Sequence, residues 1–178
     1  MIKNQKKIWI TGASSGIGKA VAEKFAEEGW KVAVSARRKE ILNQISDDQN
    51  IFSFPLDVTN EKDCKMTFEE INKKLNGIDI CFFCSGTYDP KKEQEINLEQ
   101  NRFVMDVNYF GTLNCVKAVE KNFKDKRSGH VLYFVGVKLF RDPKTKSNHG
   151  ELLRTIGFSS APGLIRVFGV TPELMTVT

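Results

Sequence analysis

Three glycines near the amino terminus have the spacing of a phosphate-binding turn. Gly12, Gly16 and Gly18 form a GxxxGxG pattern between an apolar run and a segment of helical periodicity. Glycine permits a tight turn here and lets main-chain N–H groups approach a pyrophosphate at the positive end of the helix. Because the rest of a βαβ unit lies beyond them, the glycines predict a dinucleotide site. The alternative is a glycine-rich turn that holds no ligand.

Charge indicates which dinucleotide this turn would hold. A carboxylate near the end of the second strand bonds the ribose 2′-hydroxyl of NAD, whereas a 2′-phosphate requires a cation. Ala36 stands at this place, and Arg37 and Arg38 follow it. Guanidinium groups suit bidentate phosphate binding. The sequence therefore favours NADP over NAD as the cofactor, and the alternative is a pair of solvated arginines.

The elements that must position these residues alternate along the first 135 residues. Apolar runs predict strands at residues 7–11, 31–35, 51–56, 78–84 and 130–135. Helical spacing predicts helices between them, at about residues 17–28, 39–46, 61–75 and 99–125, with Thr59 or Asn60 as the cap of the third. Five strands alternating with four helices predict a Rossmann-like, doubly wound α/β parallel sheet of order 3-2-1-4-5.

Length and composition fit one domain. The chain has 178 residues, of which 40% are hydrophobic and 28% charged, and this composition excludes disordered and collagen-like classes. The net charge of +5 favours anionic ligands, but basic residues are scattered along the sequence, so no nucleic-acid partner is expected. With no run near the roughly 18 apolar residues of a membrane span, we expect a cytoplasmic protein without a membrane partner.

The four cysteines, Cys64, Cys81, Cys84 and Cys115, are expected to be thiols of a reducing compartment. Cys81 and Cys84 form a CxxC inside a predicted strand, where residues three apart face opposite sides. This geometry disfavours a disulfide or a shared metal. His130 and His149 lack carboxylate or cysteine partners at ligand spacing, so no metal site is expected.

Several motifs resemble those of the short-chain dehydrogenase/reductase family, and especially of its NADP-preferring members. TGASSGIG at residues 11–18 resembles the family's phosphate loop, and LDVT at residues 56–59 resembles the segment whose Asp holds the adenine amino group. Residues 107–112, with Asn108 and Gly111, are similar to the helical segment that supplies an active-site Asn. The resemblance covers about 135 residues. It implies Asn108 as a catalytic residue, and as cofactor-binding residues Gly12, Ser14, Ser15, Gly16, Ile17, Gly18, Arg37, Arg38, Asp57, Val58, Ser85 and Gly86.

The end of the fourth strand departs from the family pattern. The family usually carries Asn-Asn-Ala-Gly there, and this chain has Phe83, Cys84, Ser85 and Gly86. Ser85 and Gly86 still permit close approach of a cofactor. The missing amide side chains are expected to loosen the loop that spans the crevice of the sheet.

The catalytic residues that the family uses beside the Asn are a Ser, a Tyr and a Lys. The usual serines align with Val135 and Gly136, and the Tyr-x-x-x-Lys pair aligns with Phe158 and Pro162, in a region that resembles the family's helix. A positioned acid contributes about 10²- to 10⁴-fold in rate, and phenylalanine has no proton to give. Asn108 could hold a water but could not complete the proton relay.

Periodicity is lost after residue 135, where polar loop-like residues and then prolines and glycines interrupt the expected helix. We therefore predict a single domain over residues 1–178, with a Rossmann core at 1–135 and an irregular tail at 136–178. The sheet would be incomplete at its C-terminal edge, either because the reading frame is truncated or frameshifted or because the protein is a degenerate relative that keeps only the nucleotide-binding half. The fifth strand would then be an exposed edge, which invites pairing, so we expect a homo-oligomer. The resemblance also implies that the long helix with Asn108 and Phe110 is a surface used for dimers.

The resemblance implies an oxidoreductase that transfers hydride between NADP(H) and a small alcohol or carbonyl substrate. The loss of the Ser, Tyr and Lys leaves a second hypothesis open, a non-catalytic NADP-binding or regulatory protein. The two hypotheses differ in turnover and agree on cofactor binding.

Overall fold

The computed structural model describes residues 5–47, 49–89 and 97–133 with their side chains, and beyond them the backbone of residues 134–137, 140–141, 148–149, 152–159 and 165–168. The strands of this part of the chain are β1 (Lys7–Thr11), β2 (Lys31–Ser35), β3 (Ile51–Ser53), β4 (Ile80–Phe83), β5 (His130–Val137), β6 (Phe140–Arg141), β7 (Asn148–His149), β8 (Leu152–Ser159) and β9 (Ile165–Phe168). The helices are α1 (Gly16–Glu27), α2 (Lys39–Ile45), α3 (Glu61–Leu75), α4 (Leu98–Met105) and α5 (Gly111–Lys126), and a π-helical turn at Asp106–Phe110 joins α4 to α5.

The parallel part of the main sheet has the predicted order, β3-β2-β1-β4-β5. The register places Thr11 beside Ser35 on one side and beside Phe83 on the other, and Phe83 beside Tyr133. The carboxyl ends of four strands therefore meet at one edge. The strand order reverses between β1 and β4, which is where open α/β sheets bind their ligands. The predicted fold class is confirmed.

Helices cover both faces of the parallel strands, as their continuous apolar sequences predict. On one face α3 and α5 pack over Trp9, Cys81 and Phe83, and on the other α1 and α2 pack over a second apolar cluster that includes Ile10. Cys81 lies in the first cluster and Cys84 packs against the second, so the prediction that they face opposite sides is confirmed. Both are free thiols.

The start of α3 is fixed by a side-chain cap. The Asn60 carboxamide oxygen accepts hydrogen bonds from the N–H groups of Lys62 and Asp63, at 3.1 and 3.2 Å. Asn60 is thus the cap, and Thr59 is the residue before the cap. The segment that connects β3 to α3 is therefore held firmly at its carboxyl end.

The predicted long helix is a continuous helical body from Leu98 to Lys126, widened at the π turn Asp106–Phe110. Val107 in this turn faces the core and is buried. Phe103 and Phe110, which lie four residues before and three residues after Val107 and would share its stripe in an ordinary α-helix, are 42% and 51% exposed. The π turn changes the angular position of the residues after it, so a stripe drawn at 3.6 residues per turn does not continue through it.

Beyond β5 the structure differs from the prediction. β8 pairs antiparallel with β5 over its whole length, and β9 pairs with β8. Residues 152–159 are a strand, not part of a helix or of an irregular tail, which fits the β-branched Thr155 and Ile156 and the poor helix propensity of Gly157. The prediction that the fifth strand is an exposed edge is wrong, because β8 and β9 lie beyond it.

The described part of the chain contains no helix with both the length and the apolar run needed to cross a bilayer.

Candidate functional site

A cleft of about 650 Å³ lies at the carboxyl ends of β1, β2 and β4, where the strand order reverses. Eleven of the twelve residues expected to bind a cofactor line it, and the twelfth, Gly16, belongs to the same turn. The eleven are Gly12, Ser14, Ser15, Ile17, Gly18, Arg37, Arg38, Asp57, Val58, Ser85 and Gly86. Ala36, Leu56, Cys84 and Val107 complete the lining.

The glycine turn is compact because two of its glycines touch backbone. A Cβ atom on Gly12 would lie 2.6 Å from the Cys84 carbonyl oxygen, and Gly12 has a φ of +69°. A Cβ atom on Gly18 would lie 2.5 Å from the Gly12 carbonyl oxygen. Any larger residue at either position would push the turn away from the sheet. The pattern thus serves close backbone packing, as the motif requires.

The first turn of α1 opens towards the cleft. Ser15 is the N-cap of α1, and its hydroxyl does not cap the helix within the described structure. It accepts at 3.5 Å from Arg38 instead. The first N–H groups of a helix lack intrahelical partners and attract anions. A helix start with no side-chain cap beside two tightly packed glycines fits a diphosphate.

Positive charge lies next to this turn. The Arg38 guanidinium donates to the Ser14 hydroxyl at 2.9 Å, which fixes it over the glycine turn. Arg37 lines the same cleft, and Ala36 stands where a carboxylate would compete with an anion. Asp57 is the single carboxylate among the described lining residues. The arrangement favours a ligand that carries an extra negative charge at this end.

Asp57 is held in a tight turn between β3 and α3. Its Oδ1 accepts from the Thr59 N–H at 3.0 Å and from the Thr59 hydroxyl at 2.8 Å. The carboxylate itself is exposed and faces a cleft rather than the core. Asp57 is therefore an accessible acceptor whose orientation is set by its neighbour.

The segment after β4 is fixed at two points. The Cys84 thiol donates to the Thr11 carbonyl at 3.0 Å. Further along, the carboxamide of Asn108 accepts from the Thr87 N–H at 2.7 Å and donates to the Thr87 carbonyl at 3.1 Å. The expected loosening through the loss of the family's amide side chains is therefore offset within residues 84–87.

Asn108, the expected catalytic residue, lies in the π turn and is buried. Its main-chain carbonyl accepts from the Thr112 hydroxyl at 3.0 Å. Its carboxamide is hydrogen-bonded to the main chain of Thr87. Its Oδ1 would lie 3.6 Å from a Cβ atom placed on Gly86. In this structure Asn108 joins the π turn to the cleft-lining segment after β4.

The places of the family's Ser and Tyr are not brought together at the cleft. Val135 and Gly136 lie in β5, whereas Phe158 in β8 pairs with Val131 near the opposite end of β5. Gly136 lies five positions after Val131, which corresponds to roughly 16 Å along a strand. Pro162 lies outside the described residues. The residue aligned with the family's tyrosine is thus far from the strand ends that form the cleft.

One Tyr-x-x-x-Lys spacing does occur elsewhere, from Tyr88 to Lys92. Pro90 lies between the two residues, and residues 90–92 lie outside the described part of the chain. Tyr133 is another tyrosine near the cleft edge. It is part of the core under α3 and α5, and burial, with Tyr109 nearby, raises its pKa, as for a packing residue.

Three polar residues that position the site were not identified from the sequence. The Thr59 hydroxyl donates to Asp57 and orients it, and the Thr87 N–H donates to the Asn108 carboxamide. Asn114 on α5 donates to the carbonyls of residues 58 and 59. The Asp-x-Thr spacing at residues 57–59 is a recognisable side-chain turn and could have identified Thr59. Nothing in the local sequence marks the partners of Thr87 or Asn114.

Comparison with known proteins gives one consistent family. Residues 6–139 match the family model described as short chain dehydrogenase. An uncharacterised oxidoreductase of Staphylococcus aureus (strain MW2) is 31% identical over 142 residues, which cover 78% of this chain and 61% of the relative. A glucose 1-dehydrogenase of Gluconobacter oxydans is 30% identical over 182 residues, which cover 94% of this chain and 68% of the relative.

A solved structure supports the same assignment. The crystal structure of a short-chain type dehydrogenase/reductase from Mycobacterium marinum is similar with a TM-score of 0.67 and 29% identity, over 72% of this chain and 54% of that one. The chain spans about 61% of the length of the Staphylococcus relative.

Proposed function

The chain belongs to the short-chain dehydrogenase family, and we propose that its cleft binds NADP(H) and that the protein is an oxidoreductase acting on a small alcohol or carbonyl compound. The observation that carries the cofactor choice is the 2.9 Å hydrogen bond from Arg38 to Ser14. It holds a guanidinium group beside the glycine turn, with Ala36 where NAD-binding sites carry a carboxylate. A 2′-phosphate would receive charge-assisted hydrogen bonds there.

Each part of NADP(H) has a matching group in the cleft. The start of α1 and the glycine turn at Gly12 and Gly18 would hold the diphosphate, and Arg37 and Arg38 the 2′-phosphate. Asp57 would accept from the adenine amino group. Ser85 and Gly86 would lie beside the nicotinamide half. The fit rests on the two glycines whose added Cβ atoms would strike backbone, and on the missing side-chain cap of α1.

NADP(H) supplies hydride when it is bound, and the residues of this chain would have to hold the substrate oxygen and move its proton. Asn108 is the family-type residue that remains, and its carboxamide is bonded to Thr87. Val135, Gly136, Phe158 and Pro162 stand at the places of the Ser, Tyr and Lys. We therefore propose slow turnover, reduced by the roughly 10²- to 10⁴-fold that a positioned acid contributes.

A second candidate function is binding of NADP(H) without catalysis, as in a regulatory protein. The engagement of Asn108 with Thr87 favours it, because this side chain then has a structural task that needs no substrate.

Titration calorimetry with NADPH and NADH, followed by assays with a panel of carbonyl compounds, tests both candidates. NADPH binding with sustained loss of nicotinamide absorbance supports the oxidoreductase, and binding without turnover supports the second candidate. Failure of NADPH to bind the folded protein contradicts both.

We also propose that the protein is a single cytoplasmic domain that self-associates through the α4–α5 surface. Four aromatic or aliphatic side chains on this surface are 39–51% exposed, namely Phe103, Tyr109, Phe110 and Leu113. Exposed apolar groups at this density favour burial against another protein surface. This surface is the ground for self-association that remains, since β5 is not an edge.

A further inference from the structure

We infer that Asn114 is a positioning residue for the purine end of the cleft. By bracing residues 57–59 from α5, it makes the site select a 6-aminopurine over a 6-oxopurine. This inference rests on the proposed binding of NADP(H) and goes beyond it, because it assigns the selectivity for the base to a residue that does not line the cleft.

The selectivity begins at the Asp57 carboxylate. Its Oδ1 accepts two hydrogen bonds, from the N–H and the hydroxyl of Thr59, at 3.0 and 2.8 Å. These bonds leave Oδ2 as the oxygen for a ligand. An ionised carboxylate accepts hydrogen bonds and cannot donate them. A purine 6-amino group is therefore a matching donor, whereas a 6-oxo group would place lone pairs against a negative charge.

The orientation of this carboxylate depends on the main chain of the next two residues. Asn114 Nδ2 donates to the Val58 carbonyl at 3.0 Å and to the Thr59 carbonyl at 3.4 Å. The buried Cys64 thiol donates to the same Val58 carbonyl at 3.5 Å. The carbonyls of both residues that follow Asp57 are thus tied to helices.

α5 also touches this segment one turn earlier. A Cβ atom on Gly111 would lie 2.6 Å from Cγ2 of Val58, so the absence of a side chain at this position lets the helix approach the segment. Val58 itself is buried and lines the cleft. Together Gly111 and Asn114 form a brace, defined by these two residues, that fixes residues 57–59 against α5.

Removal of the brace should affect the base more than the rest of the dinucleotide. The glycine turn packs against residues 84 and 85, and Arg38 bonds to Ser14, so these contacts do not involve α5. Without Asn114 the carbonyls of Val58 and Thr59 lose a donor, and the Thr59 groups that orient Asp57 move with them. The carboxylate then samples more directions, and the distinction between amino and oxo groups weakens.

The experiment compares dissociation constants for NADPH and for its hypoxanthine analogue, which has a 6-oxo group in place of the 6-amino group. For the unmodified protein we expect NADPH to bind about 10-fold more tightly or better, as for a hydrogen bond to a charged group. Asp57→Ala should bring the ratio near one. Asn114→Ala should lower the ratio about threefold or more, because a less firmly oriented Asp57 carboxylate forms a weaker hydrogen bond to the 6-amino group.

Asn122→Ala is the matched control, because Asn122 lies on the same helix and its Oδ1 has no partner among the described residues. We expect it to retain the original ratio. An equal weakening of both ligands by Asn114→Ala would indicate a merely structural role and overturn the inference. So would a ratio near one in the unmodified protein, or an unchanged ratio in Asn114→Ala.

Circular dichroism and thermal unfolding establish that the variants are folded. Should Asn114→Ala fail to fold, Gly111→Ala takes its place, since its methyl group would displace Val58, and an unchanged ratio there overturns the inference. If the unmodified protein binds no NADPH, the proposed function fails and the inference fails with it. Normal NADPH binding with an unaltered ratio in the brace variants overturns the inference alone.

Discussion

The thiol of Cys84 donates a hydrogen bond to the main-chain carbonyl of Thr11 at 3.0 Å and so joins the ends of β4 and β1 beside the glycine turn. Burial raises the pKa of this thiol to about 12, so it remains a protonated donor at neutral pH. The same sulfur bounds the space at Gly18, where an added Cβ would lie 3.0 Å from it. Cys84 therefore holds the turn in the place where the family usually has an asparagine.

Replacement of Cys84 should weaken both the fold and the cofactor site. Cys84→Ala leaves the Thr11 carbonyl without this donor, and we expect a loss of about 1–3 kcal/mol in the free energy of unfolding. NADPH affinity should fall several-fold as the turn loosens. Cys84→Ser keeps a donor and should recover most of both, as measured by urea unfolding and by NADPH titration.

Cys81→Ala is the control for this prediction. Cys81 lies three residues earlier and is buried in the other core cluster, under α3 and α5. We expect it to lower stability through the lost packing and to leave the NADPH affinity of the folded protein unchanged. If Cys84→Ala bound NADPH as tightly as the unmodified protein, the role of Cys84 at the turn would be contradicted.

Arg38 should decide between the two pyridine dinucleotides. Arg38→Ala removes the guanidinium group that Ser14 holds at the turn. We expect NADPH to bind about 10- to 100-fold more weakly, as for the loss of a charge-assisted hydrogen bond. NADH has no 2′-phosphate, so its affinity should be nearly unchanged in calorimetric titrations.

Lys121→Ala is a control with the same change in net charge, on the exposed surface of α5. It should leave both affinities as they are at moderate ionic strength, where distant charges are screened. Equal losses of NADPH and NADH affinity in Arg38→Ala would mean that Arg38 supports the turn and does not read the 2′-phosphate.

The parallel half of the fold could be predicted because its signals are local. The apolar runs at β1, β2 and β4 and the glycine turn before α1 lie within a few residues of one another. β8 could not be predicted in the same way, because its partner strand β5 is distant in sequence. His130 of β5 and Ser159 of β8, which lie opposite each other, are 29 positions apart along the chain, and no local pattern marks their antiparallel pairing. The helix expected near Gly157 came from the family resemblance alone.

The motifs of the site could be predicted from the sequence, but the tertiary contacts that position them could not. Gly12 follows from the glycine spacing, Arg38 from charge and Asp57 from the family resemblance, and all three line one cleft. The contact of Asn114 with Val58 depends on how α5 packs beside the segment after β3, which is a tertiary relationship. The π turn at Asn108 likewise has no counterpart in the regular spacing of apolar residues.

Self-association should depend on Phe110. This ring is 51% exposed on the π turn and lies edge-on to the Tyr109 ring, with centroids 5.2 Å apart. Phe110→Asp places a charge in the proposed interface, and we expect a shift towards the monomer in light scattering at equal protein concentration.

Met66→Asp is the matched control, because Met66 is a 56% exposed apolar residue on α3 and belongs to neither α4 nor α5. It should leave the oligomeric state unchanged. A monodisperse monomer of the unmodified protein at high concentration would contradict self-association altogether.

Asp47 should make the free energy of unfolding depend measurably on pH in the acid range. Its Oδ1 accepts from the N–H groups of Gln49, Asn50 and Ile51, at 3.0, 2.7 and 2.7 Å, and so fixes the entry to β3. Burial acts to raise the pKa of Asp47, but these amide hydrogen bonds outweigh it and hold the pKa below its ordinary value. Since the folded-state pKa is lower than the unfolded one, ionised Asp47 stabilises the fold above about pH 3.9, and this contribution is lost as the pH falls through the folded-state pKa.

Urea unfolding of the unmodified protein and of Asp47→Asn between about pH 6 and pH 3 tests this prediction. The free energy of unfolding should fall more steeply with acid in the unmodified protein, because the variant has no carboxylate to protonate. Parallel curves for the two proteins would show that the three amide bonds contribute nothing to the acid response.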